Sequence, residues 1–224
     1  AATHELPDGL EVLLDDGKLL LRTEKSIYDP TIRLRVIREG QLAGRKSVAL
    51  QGCTIRTPAM TDADRANIRK AKAFGVTGVM QPFVRSKEDL TEVRNELHKA
   101  SADDVSLFAK IENRDGIDNI DELIPCCDEI VIARGDLGNA VKLWELPAVQ
   151  KRLSAICREQ GKRFMVVTQM LDSMIHKPVP TRAEVSDIFN AVLDGASSVM
   201  VTGETAVGDY PVLAVRYLSK TVRE

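Results

Sequence analysis

The sequence is short of the residues that build metal clusters, disulfide frameworks and membrane anchors. Its 224 residues include only four cysteines and three histidines, and none falls at zinc-ligand spacing. Cys53, Cys126, Cys127 and Cys157 contain no C-x-x-C pair, and the adjacent thiols cannot easily bridge to each other. They read as reduced thiols of a cytosol-like compartment, so the expected location is cytoplasmic. An excess of one charge is also missing: 31 Lys+Arg stand against 33 Asp+Glu, for a formal net charge of −2. With no basic block or basic–aromatic interleaving, nucleic acid is not an expected partner. No apolar run approaches the roughly 18 residues of a membrane helix, so no membrane partner is expected either. The first residues, Ala1-Ala2-Thr3-His4, resemble no secretory leader.

What is present is a globular composition, 44% hydrophobic and 29% charged, enough for one domain with a small appendage. The chain changes character near residue 57. Before it, Val12–Leu14 and Leu19–Leu21 flank Asp15-Asp16-Gly17 and predict a hairpin. Ile32–Ile37 alternates with period two, and Ser47–Leu50 is a further strand candidate. Residues 1–57 therefore read as a small β subdomain. From 58 to 224 the rhythm is strand then helix. Apolar runs occur at Val76–Phe83, Val105–Ile111, Glu129–Ala133, Phe164–Thr168 and Ser198–Thr202. Thr61-x-x-Asp64, Ser86-x-x-Asp89 and Thr181-x-x-Glu184 predict helix starts, and Gly75, Gly161 and Gly195 predict helix ends. The fold class is α/β with a parallel sheet. A doubly wound sheet is possible but lacks a G-x-G-x-x-G turn; an incomplete (β/α)8 barrel of about five units places more of the polar residues usefully.

Those polar residues lie at or just past the C-terminal ends of the apolar runs. Lys110 and Glu112 share one face of a strand, as either a structural ion pair or a ligand site. In Ala133-Arg134-Gly135-Asp136-Leu137-Gly138 the glycines allow close approach to backbone amides, and Asp136 is a hard oxygen donor for Mg2+. An ordinary turn with an acidic helix start is the competing reading. Thr168-Gln169 and Thr202-Gly203-Glu204-Thr205 repeat the pattern at the next two strand ends. Two carboxylates and an ammonium together suit a divalent ion and a phosphorylated or carboxylated anion. His98 and His176 read as surface residues.

These strings resemble the pyruvate kinase family. The matching words are Lys110-Ile-Glu-Asn113, Ala133-Arg-Gly-Asp-Leu-Gly138, Thr168-Gln-Met-Leu171, Pro180-Thr-Arg-Ala-Glu184, Asn190-Ala-Val-Leu-Asp-Gly195, Gly203-Glu-Thr205 and Gly208-Asp-Tyr-Pro211, in family order. The resemblance implies a (β/α)8 catalytic domain with a β lid, and a glycolytic phosphotransferase that makes pyruvate and ATP from phosphoenolpyruvate and ADP. It implies Mg2+ or Mn2+ on Glu112 and Asp136, and Lys110 as the group stabilising the moving phosphoryl. Ala133, Arg134, Gly135, Asp136 and Thr168 would bind substrate. Thr168, Thr202 and Glu204 would serve proton delivery, and Arg45 and Lys46 would lie near the nucleotide phosphates.

The departures are equally specific. The family's three opening barrel strands carry an Arg-x-Asn-x-Ser-His-Gly motif and the ligands for K+, and neither has a counterpart here. The usual Ser before Phe-Val-Arg is Pro82, the usual Asp before Leu-Pro is Arg56, and a lid Asn is Ala49. Asn139-Ala140-Val141-Lys142 replaces Val-Glu-Ile-Pro. A non-catalytic pyruvate-kinase-like subunit and a Mg2+-dependent enolate decarboxylase or lyase are the other functional readings. Five strands cannot close a barrel, so the chain is expected to be an oligomer or to be completed by another segment or chain.

Overall fold

The computed structural model describes residues 6–15, 17–24, 31–44, 46–52 and 57–224. Arg45, Asp16, Cys53 and Arg56 lie outside the described residues.

The first quarter forms an antiparallel sheet of β1 (Glu11–Leu14), β2 (Leu19–Glu24), β3 (Arg33–Arg38) and β4 (Val48–Leu50), in the order β3-β2-β1-β4. The expected hairpin is present, with Glu11 opposite Arg22 and Leu14 opposite Leu19. Asp15 and Gly17 hold the positive φ angles, 51° and 80°, that reverse the chain in so few residues. The alternation at Ile32–Ile37 does form a strand, and all six residues of β3 are exposed. β3 is an edge strand paired with β2, and a bulge at Leu20/Leu21 shifts its register.

The remainder alternates strand and helix. α1 (Asp62–Ile68) precedes β5 (Gly78–Gln81), followed by α2 (Lys87–Lys99) and β6 (Ser106–Ile111). Two short helices, α3 (Arg114–Asp118) and α4 (Ile120–Leu123), lead to β7 (Glu129–Ala133). α5 (Arg134–Ala140) and α6 (Leu146–Glu159) precede β8 (Arg163–Val167). α7 (Arg182–Leu193), β9 (Ser198–Met200), α8 (Gly203–Ala206) and α9 (Pro211–Arg223) complete the chain. The five strands are parallel in the order β5-β6-β7-β8-β9. This is an incomplete barrel, three strands short of the eight that closure uses.

Burial follows position in the sheet. Every residue of central β7 is buried, whereas β5 and β9 keep exposed or half-buried residues. The strands expected at Val76–Phe83 and Ser198–Thr202 are correspondingly short, because an edge strand has one ladder to hold it rather than two. On the helix side Leu90, Leu97, Leu107, Ile130, Leu153 and Phe164 form the main core. On the other side Val131, Ala133 and Val167 pack with Phe108, Met165 and Met200. Below the strands, the buried Glu129 carboxylate accepts from Ser197 Oγ at 3.1 Å and Ser198 Oγ at 2.9 Å, and Arg163 lies 3.3 Å away. It ties the N-terminal ends of β7, β8 and β9 together.

Gly161 and Gly195 follow α6 and α7 with φ of 64° and 92°, and the next amide bonds back across the turn in each case. The helix end expected at Gly75 comes earlier: α1 closes at Ile68, and Gly75, at φ 64°, ends the run of turns that follows it. Thr61/Asp64 and Thr181/Glu184 are reciprocal capping boxes. Ser86 occupies its N-cap position without capping the backbone; its hydroxyl is bonded to Glu88, and Asp89 is taken by the Arg85 amide and guanidinium. Glu184 does more than cap. It also accepts from the Ser173 amide at 2.7 Å and the Ser173 hydroxyl at 2.6 Å, pinning the loop after β8 to α7. Burial alone pushes this carboxyl up, but the donors from Ser173 and Thr181 outweigh it and hold it below the ordinary value of 4.5. Its stabilisation is therefore complete above that value and is lost as pH falls through the depressed one. Glu184→Gln is expected to cost about 1–2 kcal/mol at pH 7. Thermal melts at pH 7 and pH 3 should show the gap between wild type and variant narrowing in acid; an equal gap at both values counts against the assignment.

Candidate active site

Parallel strands buried on both faces leave their C-terminal ends as the place for polar chemistry. Along β6, Leu107, Ala109 and Ile111 are buried toward the helices, and the alternate residues Phe108 and Lys110 lie on the opposite face. The period carries one residue further to Glu112, and Lys110 Nζ meets Glu112 Oε1 at 2.6 Å. The Glu112 side chain is 1% exposed, that of Lys110 26%. The second carboxylate oxygen accepts from the Phe83 amide at 2.8 Å. Phe83 adopts φ 51°, a backbone conformation that an L residue holds only under constraint. Asn113 then caps α3, accepting from Gly116 N at 2.8 Å while donating to Val84 O at 3.1 Å. With the Val84 amide donating to Lys110 O at 3.3 Å, the loop after β5 is bound to the end of β6 at three points.

At the end of β7, Ala133 is the N-cap of α5, so Arg134, Gly135 and Asp136 form its first turn. Their amides precede any intrahelical partner and carry the positive end of the helix dipole. Asp136 is half-buried in that turn. Gly135 is needed for space: a Cβ there would stand 3.0 Å from Thr168 Cγ2. The ends of β7 and β8 therefore touch through Gly135 and Thr168. Thr168 follows β8 with φ 80°, and Gln169 continues at 55°. Arg134, expected among substrate contacts, commits its guanidinium to protein groups. Nε and Nη2 donate to the Thr168 carbonyl at 3.1 and 2.7 Å, and Nη1 to Asp187 Oδ2 at 2.5 Å.

After β9, Glu204 is 2% exposed. One oxygen accepts from Leu171 N at 3.0 Å and the other from Thr202 N at 2.8 Å. Its carboxylate therefore joins the β8 and β9 loops, and Thr202 receives it through the main chain. In the N-terminal sheet, Lys46 Nζ lies 3.0 Å from Asp15 Oδ1 and Lys18 Nζ 3.2 Å from Oδ2. The Lys46 hydrogen bond is the main reason the Asp15 carboxyl is held below its ordinary value. β4 packs on α5, and a Cβ at Gly17 would stand 3.4 Å from Asn139 Oδ1, so the N-terminal sheet rests on the helix whose first turn holds Asp136. His98 and His176 are exposed, paired with Asp103 and Asp209.

The donor set suits one kind of metal. Among the described residues, no three His, Cys, Asp or Glu side chains cluster as a closed cage. Glu112 and Asp136, at neighbouring strand ends, offer two hard oxygens. That matches Mg2+ or Mn2+, ions bound by one or two carboxylates with water and substrate oxygens completing the shell. Sequence reasoning missed the Phe83 amide and Asp187. A left-handed Phe after Pro82 has no local signature, whereas Asp187 lies one turn beyond the Thr181/Glu184 capping box and was available as an unexplained acid on the inner turn of α7.

Comparison with known proteins agrees with this arrangement. A family model described as the pyruvate kinase barrel domain matches residues 2–215. Pyruvate kinase 2 of Saccharomyces cerevisiae is 40% identical over 219 residues, covering 98% of this chain and 43% of that protein. The pyruvate kinase of Sporosarcina psychrophila is 39% identical over 218 residues, covering 97% and 37%. That of Bacillus licheniformis is 40% identical over 214 residues, covering 95% and 37%. The chain spans about two fifths of the length of these relatives. With nearly its whole length matched and the strand-end residues in place, the chain belongs to the pyruvate kinase family.

Proposed function

We propose that the protein transfers the phosphoryl group of phosphoenolpyruvate to ADP, giving pyruvate and ATP. The observation that carries this reading is the sequence of strand ends: Lys110 on Glu112 after β6, Gly135 and Asp136 after β7, and Thr168 against Gly135 after β8. It is the arrangement an enol phosphate with a carboxylate would use, since both of its anionic ends need positive partners on one rim.

Glu112 and Asp136 would hold a divalent ion, which supplies charge neutralisation for the phosphate and carboxylate when bound. The first-turn amides of α5 at Gly135 and Asp136 receive the carboxylate. The Lys110 ammonium, oriented by Glu112, faces the phosphoryl oxygens as charge builds on them. The phosphorus–oxygen bond to the enol breaks as a terminal oxygen of ADP bonds to phosphorus, leaving an enolate. A proton delivered at its methylene carbon from the side of Thr168 completes pyruvate. Arg45 and Lys46 approach the nucleotide phosphates from the lid; Lys46 exchanges Asp15 for phosphate as it does so.

The same reading requires the two sheet edges to be covered. β5 and β9 have neither charge nor proline along them, and a hollow of about 260 Å³ lined by Met60, Ile68, Ala71, Val76 and Met80 runs beside β5. Further parallel strands, from another segment or another chain, complete the rim.

Three measurements follow. Mg2+ or Mn2+ should raise the melting temperature, and Asp136→Ala should abolish that rise. An undiminished metal response in Asp136→Ala removes the ion from this site. In a coupled assay of pyruvate formation, Lys110→Met should lower kcat by about a hundredfold or more while leaving the metal response in the melt intact. Near-normal turnover would reduce Lys110 to a structural ion pair. Light scattering on the isolated 224-residue chain should show association; a monodisperse monomer with a cooperative melt would mean that the edges need no cover.

A further inference from the structure

Thr168 is a β-branched residue in the left-handed region at φ 80°, followed by a second left-handed residue, Gln169, at 55°. Side chains other than glycine rarely hold such angles, and β-branched ones least of all, so something must hold the peptide there. Two groups do. On the side-chain side, the methyl of Thr168 packs against the bare Cα of Gly135, where a Cβ would come within 3.0 Å. On the carbonyl side, Arg134 donates twice to Thr168 O, at 3.1 Å from Nε and 2.7 Å from Nη2. The guanidinium is itself fixed by Asp187 of α7 at 2.5 Å, and its side chain is only 10% exposed. Two adjacent residues of one turn thus grip the two ends of a single strained residue on the next strand.

We propose that Arg134, anchored by Asp187, is a positioning residue that holds Thr168 in its left-handed conformation and so aims its hydroxyl at the reacting carbon. The inference rests on the phosphotransfer reading for its catalytic consequence, but its structural content does not. Arg134 touches no reacting atom. It acts through a carbonyl, and only a planar fork can serve that carbonyl and Asp187 together, which the point charge of lysine cannot. Without the fork, the Thr168 peptide relaxes toward extended backbone and the hydroxyl turns away. An ion pair that merely stabilised the fold would move the melting temperature and leave Thr168 where it is.

The experiment has two arms on the same variants of the protein, Arg134→Leu, Arg134→Lys, Asp187→Asn and Thr168→Val. In the first, nuclear magnetic resonance reads the cross-peak between the amide and α protons of Thr168, strong in left-handed backbone because the two protons are close. It should be strong in wild type and weak in Arg134→Leu, with β7 and β8 amide shifts retained; an equally strong peak in Arg134→Leu overturns the proposal. In the second arm, Arg134→Leu should lower kcat for pyruvate formation about a hundredfold with KM for phosphoenolpyruvate changed by less than about threefold. Arg134→Lys should recover only a small part of the loss. The double variant with Thr168→Val should be no slower than the slower single one; a multiplicative loss, or full activity in Arg134→Lys, overturns the proposal. If Arg134→Leu does not fold, Asp187→Asn, which keeps the arginine but frees its fork, is read instead for the same changes in lesser degree. If wild type makes no pyruvate, the phosphotransfer reading fails and the resonance arm alone decides the role of Arg134.

Discussion

The carboxylate of Glu112 is the charge on which the rim of the sheet is organised. It is almost wholly buried, and a lone buried carboxylate is too costly to keep ionised without partners. Both of its oxygens are met, one by Lys110 from its own strand and one by the Phe83 amide from the strand before. Meeting it forces Phe83 into left-handed backbone and draws the β5 loop over the end of β6. The pair therefore does two things at once. It fixes the direction of the ammonium, and it links neighbouring strand ends.

The next two strand ends repeat that logic with different groups. Arg134 reaches from the β7 turn to the Thr168 carbonyl, and Glu204 reaches from the β9 turn to the Leu171 amide. Each cross-link joins a charged side chain to a main-chain group one strand away, and together they tie β5 to β6, β7 to β8 and β8 to β9. At the opposite ends of the strands Glu129 makes comparable links to Ser197 and Ser198. Among the described residues around the parallel sheet, left-handed non-glycine residues stand at Phe83, Thr168 and Gln169 on the rim and at Ser101 at the base.

The N-terminal sheet follows different rules. Its edge strand β3 alternates polar and apolar residues and yet buries none of them. Its link to the barrel runs instead through β4 and the β1–β2 turn onto α5. Asn139, one of the departures from the family pattern, is buried beneath that turn. The sheet is thereby coupled to the helix whose first turn carries Gly135 and Asp136.

The sequence by itself determined the order of elements, most helix ends and the set of polar residues at the strand ends. Those properties are local: capping boxes at Thr61 and Thr181, left-handed glycines after α6 and α7, and apolar runs whose lengths suit buried parallel strands. It also placed Lys110 and Glu112 on one face, because a period of two is a property of the strand alone. The tertiary structure decided what those side chains touch. The family resemblance puts Arg134 among the substrate contacts, and its guanidinium meets the Thr168 carbonyl and Asp187 only when β8 lies beside β7 and α7 brings Asp187. Glu204, singled out for its place at a strand end, meets the Leu171 and Thr202 amides only in the folded chain. The exposure of β3 is of the same kind: alternation shows that a strand has two faces, but only its neighbours in space determine whether either face is covered.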